Sequence, residues 1–175
     1  PYKPIKYQDL NQVIAGYLQG RCSAITSDRS QLAAARSSFL DPSNHIILDS
    51  ILSKEPLAPA SEGSDQSLAD VMRWTIYALF TAEEEGITKS NVEEKYREAE
   101  NNTKLKSLRR LFGIDGGLGE KIGLNNNFVF NVIKDNGNYG EIYERNLGEG
   151  SNVSIPRGLN KSYKEGGLHF SPPFN

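Results

Sequence analysis

The sequence predicts an α/β fold, a mostly parallel sheet flanked by helices, with a helical C-terminal extension. Three observations predict it. Over residues 5–52, short apolar segments alternate with helix-forming ones in a β-α-β-α-β rhythm, the pattern of parallel strands covered by helices. Residues 53–63 then break the rhythm with Pro56, Pro59 and Gly63. Beyond them the apolar spacing is helical, and glycine turns separate the segments.

Residues 5–7 read as a first short strand. Asp9 opens a helix, because its carboxylate accepts from the free N–H groups of the first turn. Leu10, Val13, Ile14, Tyr17 and Leu18 fall on one face of that helix, and Gly20 stops it. Residues 22–27 are a second strand. Asp28 follows, and Gln31-Leu-Ala-Ala-Ala-Arg-Ser is strongly helix-forming. Asp41-Pro42 is a turn, and residues 45–52 are a third strand. After the 53–63 break, a long helix runs over 66–85, capped by Ser64 or Asp65 and stopped by Gly86. Its buried stripe is Leu68, Val71, Thr75, Ala78, Leu79 and Ala82, widened by Trp74 and Ile76. A further helix starts after Ser90, with Glu93 placed for a capping box. Residues 128–136 are helical, and a last short helix lies near 158–164.

Composition narrows the function. The chain is 37% hydrophobic and 24% charged, with a net charge of -2, ordinary values for a globular protein. Val71-Met-Arg73 interrupts the richest apolar stretch well short of the roughly 18 to 20 residues that span a bilayer. The densest basic run, Lys104-Leu-Lys-Ser-Leu-Arg-Arg110, reads as a solvated helix face, which argues against nucleic acid as a partner. One cysteine and two histidines leave no zinc site. The opening Pro1-Tyr-Lys-Pro has neither an initiator Met nor an apolar leader; a processed N-terminus or a truncation explains it.

No catalytic set stands out. His45 lies in an apolar strand context and His169 in the tail, and both read as structural. Arg21-Cys22 offers a thiol no base. Asp115-Gly-Gly-Leu-Gly-Glu-Lys lacks the spacing and the Lys-Ser/Thr ending of a phosphate loop, and reads as turn chemistry. Glu83-Glu84-Glu85 reads as a solvated helix end, not a metal site. Asp28 is the informative residue. It follows a strand and opens a helix, and ligands of α/β folds bind outside the carboxyl ends of strands. A carboxylate there suits a ligand ammonium. Asp28-x-x-Gln31 also fits an N-cap with its Gln at N3, and both readings stand at this level.

Four segments in order carry a resemblance: Gly20-Arg-Cys-Ser-Ala-Ile-Thr-Ser-Asp28, Ile51-Leu-Ser-Lys-Glu-Pro-Leu-Ala-Pro59, Arg73-Trp-Thr-Ile-Tyr-Ala-Leu and Gly137-Asn-Tyr-Gly-Glu-Ile-Tyr-Glu-Arg145. Together they resemble the general L-amino-acid-binding periplasmic proteins, solute-binding proteins of the polar-amino-acid ABC transporters. The resemblance runs essentially the whole chain and places it in the C-terminal part of the family's two-lobed periplasmic-binding fold. It implies that residues 1–55 are the C-terminal portion of lobe two. Residues 56–175 are then the return to lobe one plus a helical extension. It further implies that Asp28 binds the ligand's α-amino group, that Ser27 lines the side-chain pocket, and that Ser53, Lys54, Glu55 and Pro56 form a hinge strand. Cys22 matches a position that in the family often forms a disulfide, its partner being absent here.

The resemblance implies a non-enzymatic function: capture of L-amino acids in the periplasm and delivery to an inner-membrane permease. It implies a precursor with a signal peptide, no cofactor, no metal and a monomer when full length. The alternative is an enzyme on the same two-lobed plan, a periplasmic dehydratase or a lytic transglycosylase-like protein, for which Glu55 is the candidate acid/base. A third option is the ligand-sensing module of a receptor.

Overall fold

The computed structural model describes residues 3–54 and 56–174, and among them the regular structure is entirely helical. The chain divides into two compact units. One is built from the chain up to Pro56 together with Asn152–Ile155; the other comprises Leu57–Ser151 and Pro156 onward.

The first unit holds two helices, α1 (Leu10–Leu18) and α2 (Arg29–Ser37). Asp9 caps α1 as its sequence position requires: its carboxylate accepts from Gln12 N at 3.0 Å and from the Gln12 amide at 2.8 Å. Gly20, at φ 73°, turns the chain out of the helix. Tyr17, Phe39 and His45 cluster beyond it, with ring centroids 4.7–6.1 Å apart and a 2.7 Å hydrogen bond between Tyr17 O–H and His45 Nδ1.

The three strands expected at 5–7, 22–27 and 45–52 are not found. His45 has β-region backbone, at φ -122° and ψ 128°, yet none of residues 46–54 makes a backbone–backbone hydrogen bond to another described residue. A strand is stable only when its N–H and C=O groups meet a neighbouring strand, and the described chain places none beside these segments. In the third segment Ile46, Leu48, Ile51 and Leu52 are 71–83% exposed, while Tyr7, Cys22, Ile25 and Ile47 are half-buried.

The second unit is built on α3 (Gln66–Glu84), with α4 (Val92–Asn101), α5 (Lys106–Leu111), α6 (Leu118–Lys121), α7 (Phe128–Asn136) and α8 (Tyr139–Asn146). Helix α3 packs on α7 and α8, and α4 on α5 and α7. The expected stripe is half right. Ala78 and Ala82 are fully buried, and Trp74 packs on the core's edge. Leu68 is 46% exposed, because the first turn of α3 precedes the packed part of the helix. Ile87, Val92, Ala99, Leu111, Phe112, Val129 and Ile133 complete the core, each large one stabilising the unit by about 1.5–3 kcal/mol.

Asp65 caps α3, accepting from Leu68 N at 2.9 Å. The capping box expected at Ser90–Glu93 does not form. Asn91 is the N-cap of α4 and makes no side-chain cap bond there, while Lys134 takes Glu93 at 2.8 Å. The box occurs instead at α8. Asn138 Oδ1 accepts from Glu141 N, the Glu141 carboxylate accepts from Asn138 N, and the Asn138 amide donates to Ile87 O at 2.8 Å.

Arg109 corrects the solvated reading of its basic run. It is mostly buried, donates twice to Asp115 at 2.7 and 2.9 Å and once to Ala99 O, and so ties off the end of α4. That pairing holds the Asp115 carboxyl below its usual range. The glycine-rich stretch is a turn only at its start: Gly116 and Gly117, at φ 94° and 65°, bend the chain, and Leu118–Lys121 then form α6. The last short helix is a single 3-10 turn, Tyr163–Glu165.

Candidate functional site

Asp28 and Ser27 sit together where the 22–27 segment meets α2. Asp28 is the N-cap of α2 by position, at φ -56° and ψ 140°, but its side chain makes no cap hydrogen bond. Only its backbone carbonyl enters the helix, accepting from Leu32 N at 2.9 Å. Gln31, which spacing offers as the partner of a box, is taken by Ser27: the Ser27 hydroxyl donates to Gln31 Oε1 at 2.5 Å. The cap reading of Asp28-x-x-Gln31 is therefore not realised. Asp28 is half-buried as a residue, and its carboxylate has no ion pair among the described residues.

Cys22 is a free thiol, 3.8 Å from the Tyr7 hydroxyl; this contact, with a smaller contribution from burial, raises the Tyr7 pKa. Ser53, Lys54 and Pro56 are exposed in irregular chain. Glu55, both a hinge candidate and the alternative's acid/base, lies outside the described residues. Among the described residues no group of His, Cys, Asp and Glu is placed to hold a metal ion, and no helix is long and apolar enough to cross a membrane.

An open groove of ≈560 Å³ lies at the other end of α2, lined by Arg36, Ser37, Pro42, Ser43, His45 and Asn152. It includes neither Asp28 nor Ser27. The groove carries the positive charge of Arg36, whereas Asp28 presents a negative one.

One charged pair escaped the sequence reading. Glu83, expected to be solvated, is 13% exposed and receives both terminal nitrogens of Arg157, itself 11% exposed. Arg157 also lies over the rings of Tyr139 and Tyr143, 5.6 and 5.4 Å from their centroids. Burial raises the pKa of the neighbouring Glu84 carboxyl, while Glu85 stays exposed near Lys164 at 3.6 Å. No local signal could have found this pair, since its members are 74 residues apart.

No family model matches the chain. It is 44% identical over 98% of its length to the general L-amino acid-binding periplasmic protein AapJ of Rhizobium johnstonii. It is 40% identical over 99% of its length to the glutamate/glutamine/aspartate/asparagine-binding protein BztA of Rhodobacter capsulatus. It is 37% identical over 98% to the putative amino-acid ABC transporter-binding protein YhdW of Escherichia coli. The chain spans about half the length of these curated relatives. An ABC transporter periplasmic binding protein from Brucella ovis, solved with glutathione bound, superposes with a TM-score of 0.87 at 41% identity, over 99% of this chain and 53% of that one. The chain is thus homologous, from end to end, to about half of an amino-acid-binding periplasmic protein of an ABC transporter.

Proposed function

We propose that this chain is the C-terminal part of a periplasmic solute-binding protein that captures L-amino acids and delivers them to an ABC transporter permease in the inner membrane. The observation that carries the proposal is the 44% identity with AapJ across 98% of the chain. The uncommitted carboxylate of Asp28 supports it, as a partner for the α-ammonium that every amino acid presents. Glutathione, the ligand in the Brucella ovis structure, carries a free α-ammonium and α-carboxylate at its γ-glutamyl end, so it offers the same handle.

In this reading residues 1–55 belong to lobe two and residues 56–175 to lobe one and its extension. The protein is a periplasmic monomer that binds and releases without chemistry. The enzyme alternative draws no support from relatives named as binding proteins. Calorimetry on the full-length gene product, about twice the 19.4 kDa of this chain as two ordinary domains require, is the test. Saturable heats with L-amino acids or glutathione are expected; silence toward all twenty amino acids and glutathione at millimolar concentration overturns the reading.

Closure on a ligand is a hinge motion absorbed by a few residues between lobes. We place those residues at Ser53, Lys54, Glu55 and Pro56. Their position at the sequence boundary between the two compact units, Pro56 and Leu57, supports the assignment. Hydrogen exchange of residues 53–59 in the full-length protein is expected to slow when ligand saturates it. Identical exchange with and without ligand removes the hinge.

A further inference from the structure

The chain after Pro156 crosses back over α3 and α8 and fastens at several points. Arg157 grips Glu83. Lys164 donates to Glu84 O at 3.1 Å. The Thr81 and Ser171 hydroxyls meet at 2.5 Å, and Phe174 packs edge-on against Trp74 with centroids 5.2 Å apart. The segment is also closed on itself: Leu168 N donates to Leu159 O, His169 N to Lys161 O, Tyr163 N to His169 O and Gly167 N to Ser162 O, all at 2.8–3.0 Å.

At its centre His169 lies stacked on Phe80 of α3, centroids 4.3 Å apart and planes 17° from parallel. Tyr139 of α8 stands edge-on to the same ring at 4.5 Å. The imidazole Nδ1 is buried with no hydrogen-bond partner. The titratable and charged groups that face the ring are Glu83 from α3, Tyr139 from α8 and Arg157 from its own segment. The stacked Phe80 ring and the edge-on Tyr139 ring accommodate a neutral imidazole. An added proton would sit near the Arg157 guanidinium, and Glu83, already bonded twice to Arg157, offsets it only in part.

We infer that residues 156–174 form an acid-released strap, held on α3 and α8 by a neutral His169 and freed when that imidazole takes a proton. Burial first, and the Arg157 charge second, lower the His169 pKa in the folded chain. The sign follows from linkage. The stabilisation is complete above the unfolded value of about 6.5 and is lost as pH falls through the lowered folded value. Release uncovers the aromatic face of Trp74, Phe80 and Tyr139.

Hydrogen exchange at pH 7.5, 6 and 5, corrected for intrinsic rates, tests the strap on the full-length protein. The amides of Tyr163, Gly167, Leu168 and His169 are the reporters and α4 is the folding control. Opening of the strap is expected to become up to about tenfold more frequent for each pH unit below about 6.5, with α4 unchanged. His169→Phe keeps the stack on Phe80 and His169→Gln keeps a polar group; whichever preserves protection in α4 should flatten the pH response. His45→Gln should leave it intact. A wild-type strap equally protected at pH 7.5 and 5 overturns the inference. So does a response that survives in the His169 variant, or one abolished by Glu84→Gln, which would make the buried carboxyl the trigger.

Discussion

Asp28→Asn in the full-length protein is expected to weaken every α-amino-acid ligand by about 30-fold to several-thousand-fold and to leave the order of preference among side chains nearly unchanged. In the proposed site the Asp28 carboxylate faces the α-ammonium, which is common to all these ligands. Removing one member of a buried charge pair leaves the other unpaired, at a cost of roughly 2–5 kcal/mol. The geometry makes this a clean test. Because the Asp28 side chain makes no cap bond to α2, removing its charge should not weaken the helix, and even Asp28→Ala should cost less than the ~1 kcal/mol of a lost cap. Calorimetry with several amino acids reads affinity, and thermal melting without ligand reads the helix. Affinities within about threefold of wild type would dissociate Asp28 from the ligand. A variant that melts well below wild type would mean that the carboxylate does cap α2 in solution.

Those features of the fold that depend on neighbours in sequence were legible. Asp9 and Asp65 cap the helices that their positions announce, Gly20 turns out of α1, and α7 spans the predicted residues 128–136. Features that depend on partners far along the chain were not. Three segments with strand-like composition have no strand beside them among the described residues, and composition cannot supply the missing hydrogen-bond partner. Asp28–Gln31, Ser90–Glu93 and Asn138–Glu141 all carry capping-box spacing, but of these pairs only Asn138–Glu141 forms one. Ser27 takes Gln31 and Lys134 takes Glu93, whereas Asn138 is fixed from the other side by Ile87 O. Spacing states which bonds are possible; the competitors within reach decide which are made.

Asp28 shows the same limit at the candidate site. Spacing allows both the cap and the ligand reading, the family resemblance favours the ligand, and neither shows whether the carboxylate is already occupied. The structure supplies that fact. The segment Gly137–Arg145 yields the opposite lesson. It helped carry the resemblance, yet its side chains serve the fold: Asn138 and Glu141 close the start of α8, and Tyr139 and Tyr143 lie under Arg157. Gly140 leaves the room that Glu83 and Arg157 occupy, since a Cβ there would come within 2.8 and 2.9 Å of their terminal atoms. A recognisable motif in this chain is therefore as much a packing requirement as a functional one.

The Glu83–Arg157 pair is where the largest loss of stability is expected. Both side chains are nearly nine-tenths buried, so removing one strands the other's charge away from water, a loss of about 3–5 kcal/mol. For a chain of this size that lowers the melting temperature by roughly 2–4 °C per kcal/mol, or about 6–20 °C in all. Arg157→Lys should recover little, because an ammonium cannot donate in the same forked geometry or stack on Tyr139 and Tyr143. The double variant Glu83→Ala with Arg157→Ala should cost clearly less than the two single losses combined, since it leaves no unpaired charge behind. Thermal and denaturant unfolding of the four proteins, wild type, each single variant and the double, gives the coupling directly. Strictly additive losses would mean that the two residues stabilise the unit independently. A Glu83→Ala loss under about 1 kcal/mol would mean that water reaches the pair in solution, and that the strap over α3 and α8 is fastened by its other contacts, among them Lys164 to Glu84 O, Thr81 to Ser171 and the aromatic rings.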